Sequence, residues 1–247
     1  MNLAPIPAPV PVADLAAEHR GRLADLLDAT SPATRARQAQ ATVLPVLGPL
    51  ARLLPHGGLA KGTVTEAPDM SLLLALAAGP ATADRYAWTA AVGLPNLGLA
   101  AAAGYGIDLK RFVVADRPGD HFAEVVTALA AACPVVLAAA PTDLAPRALD
   151  RLAAHLRRTG TVLITPGPWP GAQLSLEVTA RRWSGLGEGH GQLTGRRARV
   201  TVFGRGSAAR SRDADLWLPD VSGFVSVVEP EVAAVGLPEN GPVAVSL

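Results

Sequence analysis

Eight arginines between residues 181 and 212 form the densest set of chemically active side chains in the sequence, against one acid, Glu188. They are Arg181, Arg182, Arg196, Arg197, Arg199, Arg205, Arg210 and Arg212. Guanidinium groups bind phosphate and carboxylate oxygens through paired N–H donors, so this basic region predicts contact with a nucleic-acid backbone or an acidic partner. The alternative is that the charges provide solubility and protect a strand edge.

Other chemistry is poorly represented. The histidines are scattered singly, without the spacing of a zinc site, and no nucleophile elbow is found, so we expect no metal and no cofactor. They are His19, His56, His121, His155 and His190. The one cysteine, Cys133, lies in an apolar run, which predicts a buried structural thiol. The glycine-rich run 185–192 joins two predicted antiparallel strands, which favours a flexible hairpin loop over a nucleotide site.

The composition bounds the class of protein. Apolar residues make up 49% and charged residues 17% of 247 residues, enough for one α/β domain with terminal extensions and too apolar for bulk disorder. The formal charge of +1 argues against a nucleic-acid footprint over the whole surface. Apolar runs are shorter than the roughly 20 residues of a membrane helix, and the N-terminus does not resemble a signal peptide. We therefore expect a cytoplasmic protein that does not enter membranes.

Between residues 63 and 165, apolar strands alternate with helices. The pattern predicts strands at 63–66, 86–90, 112–115, 135–139 and 161–165. It predicts helices at 71–78, 96–104, 121–132 and 146–159. Such alternation is typical of an α/β fold with a mainly parallel sheet flanked by helices. Trp88 falls in a predicted core strand.

The flanking regions differ from this pattern. Four prolines within residues 1–12 predict an extended arm, and leucines at helical spacing predict an amphipathic helix at 13–29, packed either on the body or on a partner. Residues 41–62 indicate a short helix ending in a glycine turn. Alternation at 173–180 and 198–203 predicts an appended antiparallel hairpin, and an irregular tail follows. We therefore divide the chain into an arm and helix (1–40), a core (41–206) and a C-terminal extension (207–247).

The order of four segments resembles the RecA-like core. They are "LLPHGGLAKGTVTEA", an apolar helix, "GIDLKRFVVADRP" and "RLAAHLRRTGTVLI". The resemblance is closest to the ImuA branch and its actinobacterial ImuA-like (ImuA-prime) proteins, through "AAVGLPNLGLAAAAGYGIDLKR", "WSGLGEGHGQLTGRRARV" and "LWLPD". It covers about residues 53–205 and implies a RecA-like sheet.

The resemblance also implies a function. Members of that branch belong to a DNA-damage-inducible complex for SOS mutagenesis by translesion synthesis. The implied partners are an ImuB-like inactive Y-family polymerase relative and, indirectly, an error-prone DnaE-type polymerase. The implied location is the cytoplasm, at the nucleoid when the complex is engaged.

Three positions decide whether the fold retains ATP chemistry. A phosphate loop needs glycines and a lysine, but residues 67–70 read "APDM", and we expect Asp69 to cap the following helix. No acid near Gly93 is placed to activate water, and the fourth predicted strand ends at Ala140 rather than at a magnesium-binding Asp, with Asp143 a poor substitute. We therefore expect a pseudo-ATPase, not an enzyme.

The prediction is a non-catalytic adaptor whose partner-binding candidates lie in the basic region and the tail. They are Trp169, Arg181, Arg182, Arg196, Arg197, Arg199, Trp217, Leu218 and Phe224. Three alternatives remain open: a DNA-binding accessory module that uses residues 181–212 on single-stranded DNA, a SulA-like inhibitor of cell division, and a residual NTPase with an unorthodox loop.

Overall fold

The structure, a computed structural model, describes residues 42–139, 141, 144–187, 190–206 and 209–229. The predicted arm and amphipathic helix within residues 1–40 lie outside the described residues, as do Ala140 and Asp143. In the part of the chain that is described, no helix is long and apolar enough to cross a membrane.

The described residues form eleven strands and five α-helices. The strands are β1 (Val43–Pro45), β2 (Gly58–Ala60), β3 (Val64–Glu66), β4 (Thr89–Val92), β5 (Phe112–Ala115), β6 (Val135–Ala138), β7 (Val162–Thr165), β8 (Leu174–Gly187), β9 (His190–Gly204), β10 (Arg212–Trp217) and β11 (Ser226–Val227). The helices are α1 (Gly48–Ala51), α2 (Met70–Ala83), α3 (Leu99–Gly104), α4 (Phe122–Ala130) and α5 (Pro146–Thr159).

One sheet holds nine of these strands, in the order β11-β10-β9-β8-β3-β7-β6-β4-β5. From β8 to β5 all neighbours are parallel, whereas β8, β9, β10 and β11 pair antiparallel. The predicted α/β fold, with a mainly parallel sheet, flanking helices and an appended hairpin, is confirmed. Within the tail predicted as irregular, β10 and β11 form strands that continue the same sheet, so residues 212–227 are joined to the core by strand pairing.

Helices cover both faces of the parallel strands. One buried cluster joins α2 and α3 to strand side chains such as Val135, Leu137 and Ile164. The other joins α4 and α5 to Val136 and Leu163, which alternate with those residues along the strands. Successive residues of a strand point to opposite faces, so the two clusters are two layers of core. Helix α2 is buried from Leu72 to Pro80, as expected for a helix that is apolar all round.

Helix α5 matches its predicted bounds, residues 146–159. Pro146 stands in its first turn, where the missing N–H has no intrahelical partner, and Gly160 adopts a left-handed conformation (φ 75°) that ends the helix. Leu152 and Leu156 are fully buried, while Arg157 and Arg158 lie in the last turn, where they interact favourably with the helix dipole.

The prediction for residues 41–62 is wrong in part. Only α1 is α-helical there, and β1 and β2 form a two-stranded antiparallel sheet that covers the outer side of α2. This cover fits closely, because a Cβ atom at Gly79 of α2 would lie 2.2 Å from the carbonyl oxygen of Pro45. The extra layer explains why α2 has no polar face.

Two local predictions also need correction. Trp88 precedes β4 rather than lying within a core strand, and its side chain is 41% exposed beside the guanidinium of Arg111. Residues 185–187 and 190–192 of the expected hairpin loop belong to β8 and β9, since the strands continue almost to the turn. Cys133 is buried as predicted, and burial raises the pKa of its thiol.

Candidate functional site

The carboxyl end of β3 leads into the N-terminus of α2, the position where α/β proteins commonly bind anions. β3 lies between β7 and β8, and its last residue, Glu66, is followed by the buried Ala67. Asp69 caps the helix as predicted, because its Oδ1 atom accepts a hydrogen bond of 3.2 Å from the Leu72 N–H. The protein therefore places its own carboxylate at this anion position.

Arg196 of β9 binds the same carboxylate. Its Nη1 and Nη2 atoms donate hydrogen bonds of 2.8 Å and 2.7 Å to Asp69 Oδ2 and Oδ1. The side chains of Arg196 and Asp69 are only 6% and 9% exposed. Such a two-pronged pair fits the planar guanidinium and satisfies both carboxylate oxygens away from water.

The Nε atom of the Arg196 guanidinium binds Leu218, the residue that follows β10. This atom donates a 2.7 Å hydrogen bond to the Leu218 carbonyl oxygen, and the Leu218 N–H bonds to the Arg196 carbonyl at 2.7 Å. The ring of Trp183 lies 5.7 Å from the guanidinium carbon. The ion pair therefore connects the first helix of the parallel core to the antiparallel extension.

Burial alone would raise the pKa of the Asp69 carboxyl, but the hydrogen bonds and charge of Arg196 and the Leu72 N–H outweigh it and hold the pKa below its ordinary value. Beside the pair, burial raises the pKa of the Tyr105 hydroxyl.

Known proteins share this part of the chain. The MT3502 N-terminal domain matches residues 52–171. The uncharacterized protein Rv3395c of Mycobacterium tuberculosis (strain ATCC 25618 / H37Rv) is 33% identical over 166 residues, which are 62% of this chain and 79% of that protein. This chain belongs to the Rv3395c family. The matched domain contains Asp69 but ends before Arg196, so the ion pair of this family member crosses the domain's C-terminal limit.

Three of the nine predicted partner-binding residues of this Rv3395c family member are buried, so they are not part of the candidate partner-binding surface. Arg196 is held in the ion pair, and Leu218 is fully buried beside it. Trp169 is 5% exposed within the core under α4 and α5, and its backbone N–H donates a 2.7 Å hydrogen bond to Glu66 Oε1. These side chains stabilise the fold, so they cannot contact a partner directly in this conformation.

The remaining arginines of the set are exposed on the hairpin. Arg181, Arg182, Arg197 and Arg199 line a shallow pocket of about 370 Å³, which Asp215 also lines. Asp215 accepts hydrogen bonds from Arg199 and Arg197, which lower the pKa of its carboxyl to about 2. Because this carboxylate stays ionised, it neutralises part of the positive charge of the pocket.

An exposed apolar turn follows β10. Val221 and Phe224 are 77% and 58% exposed, and Trp217 is partly buried. Asp220 holds the turn, because its Oδ1 atom accepts hydrogen bonds from the N–H groups of Ser222 (2.8 Å) and Phe224 (3.1 Å). The fold therefore presents two ordered apolar side chains to solvent. Phe224 was among the predicted candidates, whereas Val221 was missed because it follows a polar aspartate and lies in no periodic segment.

Proposed function

We propose that this Rv3395c family member is a non-catalytic adaptor with a RecA-like core that joins an error-prone translesion-synthesis complex by binding an ImuB-like inactive polymerase relative. The identity of the complex, its damage-inducible context and its cytoplasmic, nucleoid-associated location derive from the ImuA-like segments of the sequence. The non-catalytic character rests on one observation, the buried Asp69–Arg196 ion pair at the N-terminus of α2.

The residues at this position do not fit a nucleotide. A phosphate loop uses backbone N–H groups and a lysine to hold phosphate oxygens, whereas here an Asp69 carboxylate oxygen accepts the Leu72 N–H. An incoming phosphate would meet this negative charge or displace it from Arg196, leaving a buried carboxylate without its partner. These residues therefore argue against nucleotide hydrolysis.

The end of β4 supports the same conclusion. Gly93 follows this strand, and its N–H bonds to the Ala115 carbonyl at 2.9 Å, while a Cβ atom at Gly93 would lie 3.0 Å from the Ala139 carbonyl oxygen. The strand ends thus pack on one another through backbone atoms where a RecA-like ATPase would carry an acid. Ala140, at the position of the missing magnesium ligand, lies outside the described residues.

We expect isothermal titration with magnesium and ATP to show no binding tighter than about 1 mM, because the Asp69 carboxylate occupies the anion position. The Asp69→Asn/Arg196→Met double variant is the matched control, since it removes both charges and keeps a polar helix cap. A dissociation constant for the unaltered protein well below the millimolar range would contradict the non-catalytic assignment.

The exposed turn after β10 is the surface we propose for the partner. Aromatic and aliphatic side chains that lie together and are held by an ordered turn are typical anchors of protein interfaces. Deleting the region from residue 207 onward is a poor test, because it removes β10 and the buried Leu216 and Leu218. Point substitutions at Val221 and Phe224 keep the sheet intact.

We expect Val221→Glu/Phe224→Glu to weaken binding of the ImuB-like protein from the same organism by at least about tenfold, because charges replace two apolar anchors. Binding is measured by surface plasmon resonance with purified proteins. The matched control is Tyr86→Glu/Val114→Glu, which alters two exposed apolar residues near the opposite edge of the sheet. Equal loss of binding in both double variants, or none in either, would count against the turn as the binding surface.

The DNA-binding alternative has less support. Four of the eight arginines of the basic region are bound within the protein: Arg196 by Asp69, Arg197 and Arg199 by Asp215, and Arg212 by the Leu54 carbonyl. Guanidinium groups already paired with carboxylates contribute less to counterion release on DNA. We therefore place protein binding first.

A further inference from the structure

A wide groove runs between α4 and α5 on the face of the sheet opposite α2. Its volume is about 1380 Å³, and it reaches the carboxyl ends of β4 and β6 at Gly93 and Ala139. Phe122 and Leu152 are buried along it, and small side chains such as Ala123, Ala128 and Ala148 line its walls. Small side chains let another helix approach closely, so the groove has the character of a helix-binding surface.

The α5 wall of the groove is basic. Helix α5 carries four arginines and one aspartate, and Arg151, His155 and Arg158 line the groove. Arg158 Nη2 donates a 2.6 Å hydrogen bond to His155 Nδ1. On the opposite side, Asp120 and Glu124 also line the groove. The basic side chains of α5 therefore favour an occupant that places negative charge against this wall.

The described part of the chain begins beside this helix. The Thr42 carbonyl accepts a 2.8 Å hydrogen bond from the Lys61 N–H. The next residue, Gly62, packs on the last turn of α5, where a Cβ atom would lie 2.8 Å from the Arg157 Cα atom. Arg158, the neighbouring residue, lines the end of the groove. The preceding 41 residues therefore enter the fold next to the groove.

The sequence of that N-terminal part fits the groove in length, polarity and charge. Residues 13–29, predicted as an amphipathic helix, place Leu15, Leu23, Leu26 and Leu27 on one stripe and carry four carboxylates against two arginines. A helix of this size is about 25 Å long, and α5 from Ala145 to Arg158 extends about 20 Å. Residues 30–41 would span up to about 40 Å, which is ample for the connection.

We propose that residues 13–29 of the same chain dock in the groove between α4 and α5, with the leucine stripe on the apolar floor and the acidic side chains attracted to α5. Attachment through residues 30–41 gives the segment a high effective concentration at the groove. The docked segment covers this face, and its removal would expose it. The docking does not depend on the adaptor function.

Thiol labelling tests this proposal, because the one native cysteine, Cys133, is buried. In the full-length protein, Ala128→Cys places a probe on an exposed position of α4 in the groove, and Ala101→Cys places one on α3 on the other face. We expect Leu23→Glu/Leu26→Glu/Leu27→Glu to speed maleimide labelling at position 128 by about tenfold or more and to leave position 101 unchanged.

The matched control is Ala13→Glu/Ala17→Glu/Ala24→Glu, which adds the same charge away from the leucine stripe and should leave position 128 protected. Protection that is independent of protein concentration supports docking within one chain. Protection that appears only as dimers form, with dimerisation measured by analytical ultracentrifugation, would overturn docking within one chain and indicate that a second copy of the protein occupies the groove. Equal labelling rates with and without the leucine substitutions would overturn it as well and leave the groove to a different protein.

Discussion

Asp69→Asn should lower the free energy of unfolding by about 3–5 kcal/mol, the largest loss we expect from one polar substitution, because it leaves the buried guanidinium of Arg196 without its counter-charge. Asparagine keeps an acceptor for the Leu72 N–H, so the helix cap survives and the loss reports on the ion pair. Urea denaturation followed by circular dichroism measures the effect.

Two controls separate this pair from a general effect of charge removal. Asp69→Asn/Arg196→Met removes both charges and should recover much of the lost stability, since apolar replacement of a buried pair is often tolerated. Asp215→Asn breaks the pairing of this carboxylate with two exposed arginines and should cost clearly less than Asp69→Asn, because solvent screens these charges. A loss below about 1 kcal/mol for Asp69→Asn would contradict a buried, energetically coupled pair.

The stability that the Asp69 carboxylate contributes should depend on pH. The pKa of Asp69 is lower in the folded protein than in the unfolded chain, so its carboxylate stabilises the fold above the unfolded value of about 3.9. That contribution is lost as the pH falls through the folded pKa. The difference in stability between the unaltered protein and Asp69→Asn should therefore shrink below about pH 4.

Gly79→Ala should destabilise the protein by about 1–3 kcal/mol or more, although alanine is the better helix former. The added Cβ atom would lie 2.2 Å from the Pro45 carbonyl oxygen and 2.4 Å from the Val46 Cα atom, so the backbone of β1 and its connection must move. Thermal unfolding measures the loss.

Gly48→Ala is the control for this prediction, because it adds the same methyl group to helix α1 where no atom lies within 4 Å. It should be neutral or stabilise slightly through the helix propensity of alanine. If Gly79→Ala were as stable as Gly48→Ala, the close contact between α2 and β1 would be refuted.

The sequence predicts elements well where local signals agree. Helix α5 has a proline at its start, a leucine stripe and a glycine at its end, and both bounds are correct. The parallel strands are short apolar runs between clear breakers, so their existence was predicted and only their ends moved. Strands β1 and β2 were missed because each has only three residues and includes a proline or a glycine, Pro45 or Gly58, which are typical of turns rather than strands.

Of the two residues that form the buried ion pair, only Asp69 could be assigned a role from the sequence. The helix cap at Asp69 follows from a local pattern, but Arg196 lies 127 residues away, and no local rule links the two. One signal was present: Arg196 alternates with the buried Ala198, Val200 and Val202, which places an arginine on the inward face of a strand. A buried arginine requires an acidic partner, so this pattern calls for one.

The separation of Asp69 and Arg196 along the chain has a consequence for folding. The parallel strands and α2 can associate through contacts that are closer in sequence, whereas the ion pair must wait until β9 has joined β8 beside β3. A contact that closes so long a loop forms late, and interactions absent from the folding transition state act mainly by slowing unfolding. The pair at the start of α2 is therefore expected to govern how long the folded protein persists, more than how quickly it forms.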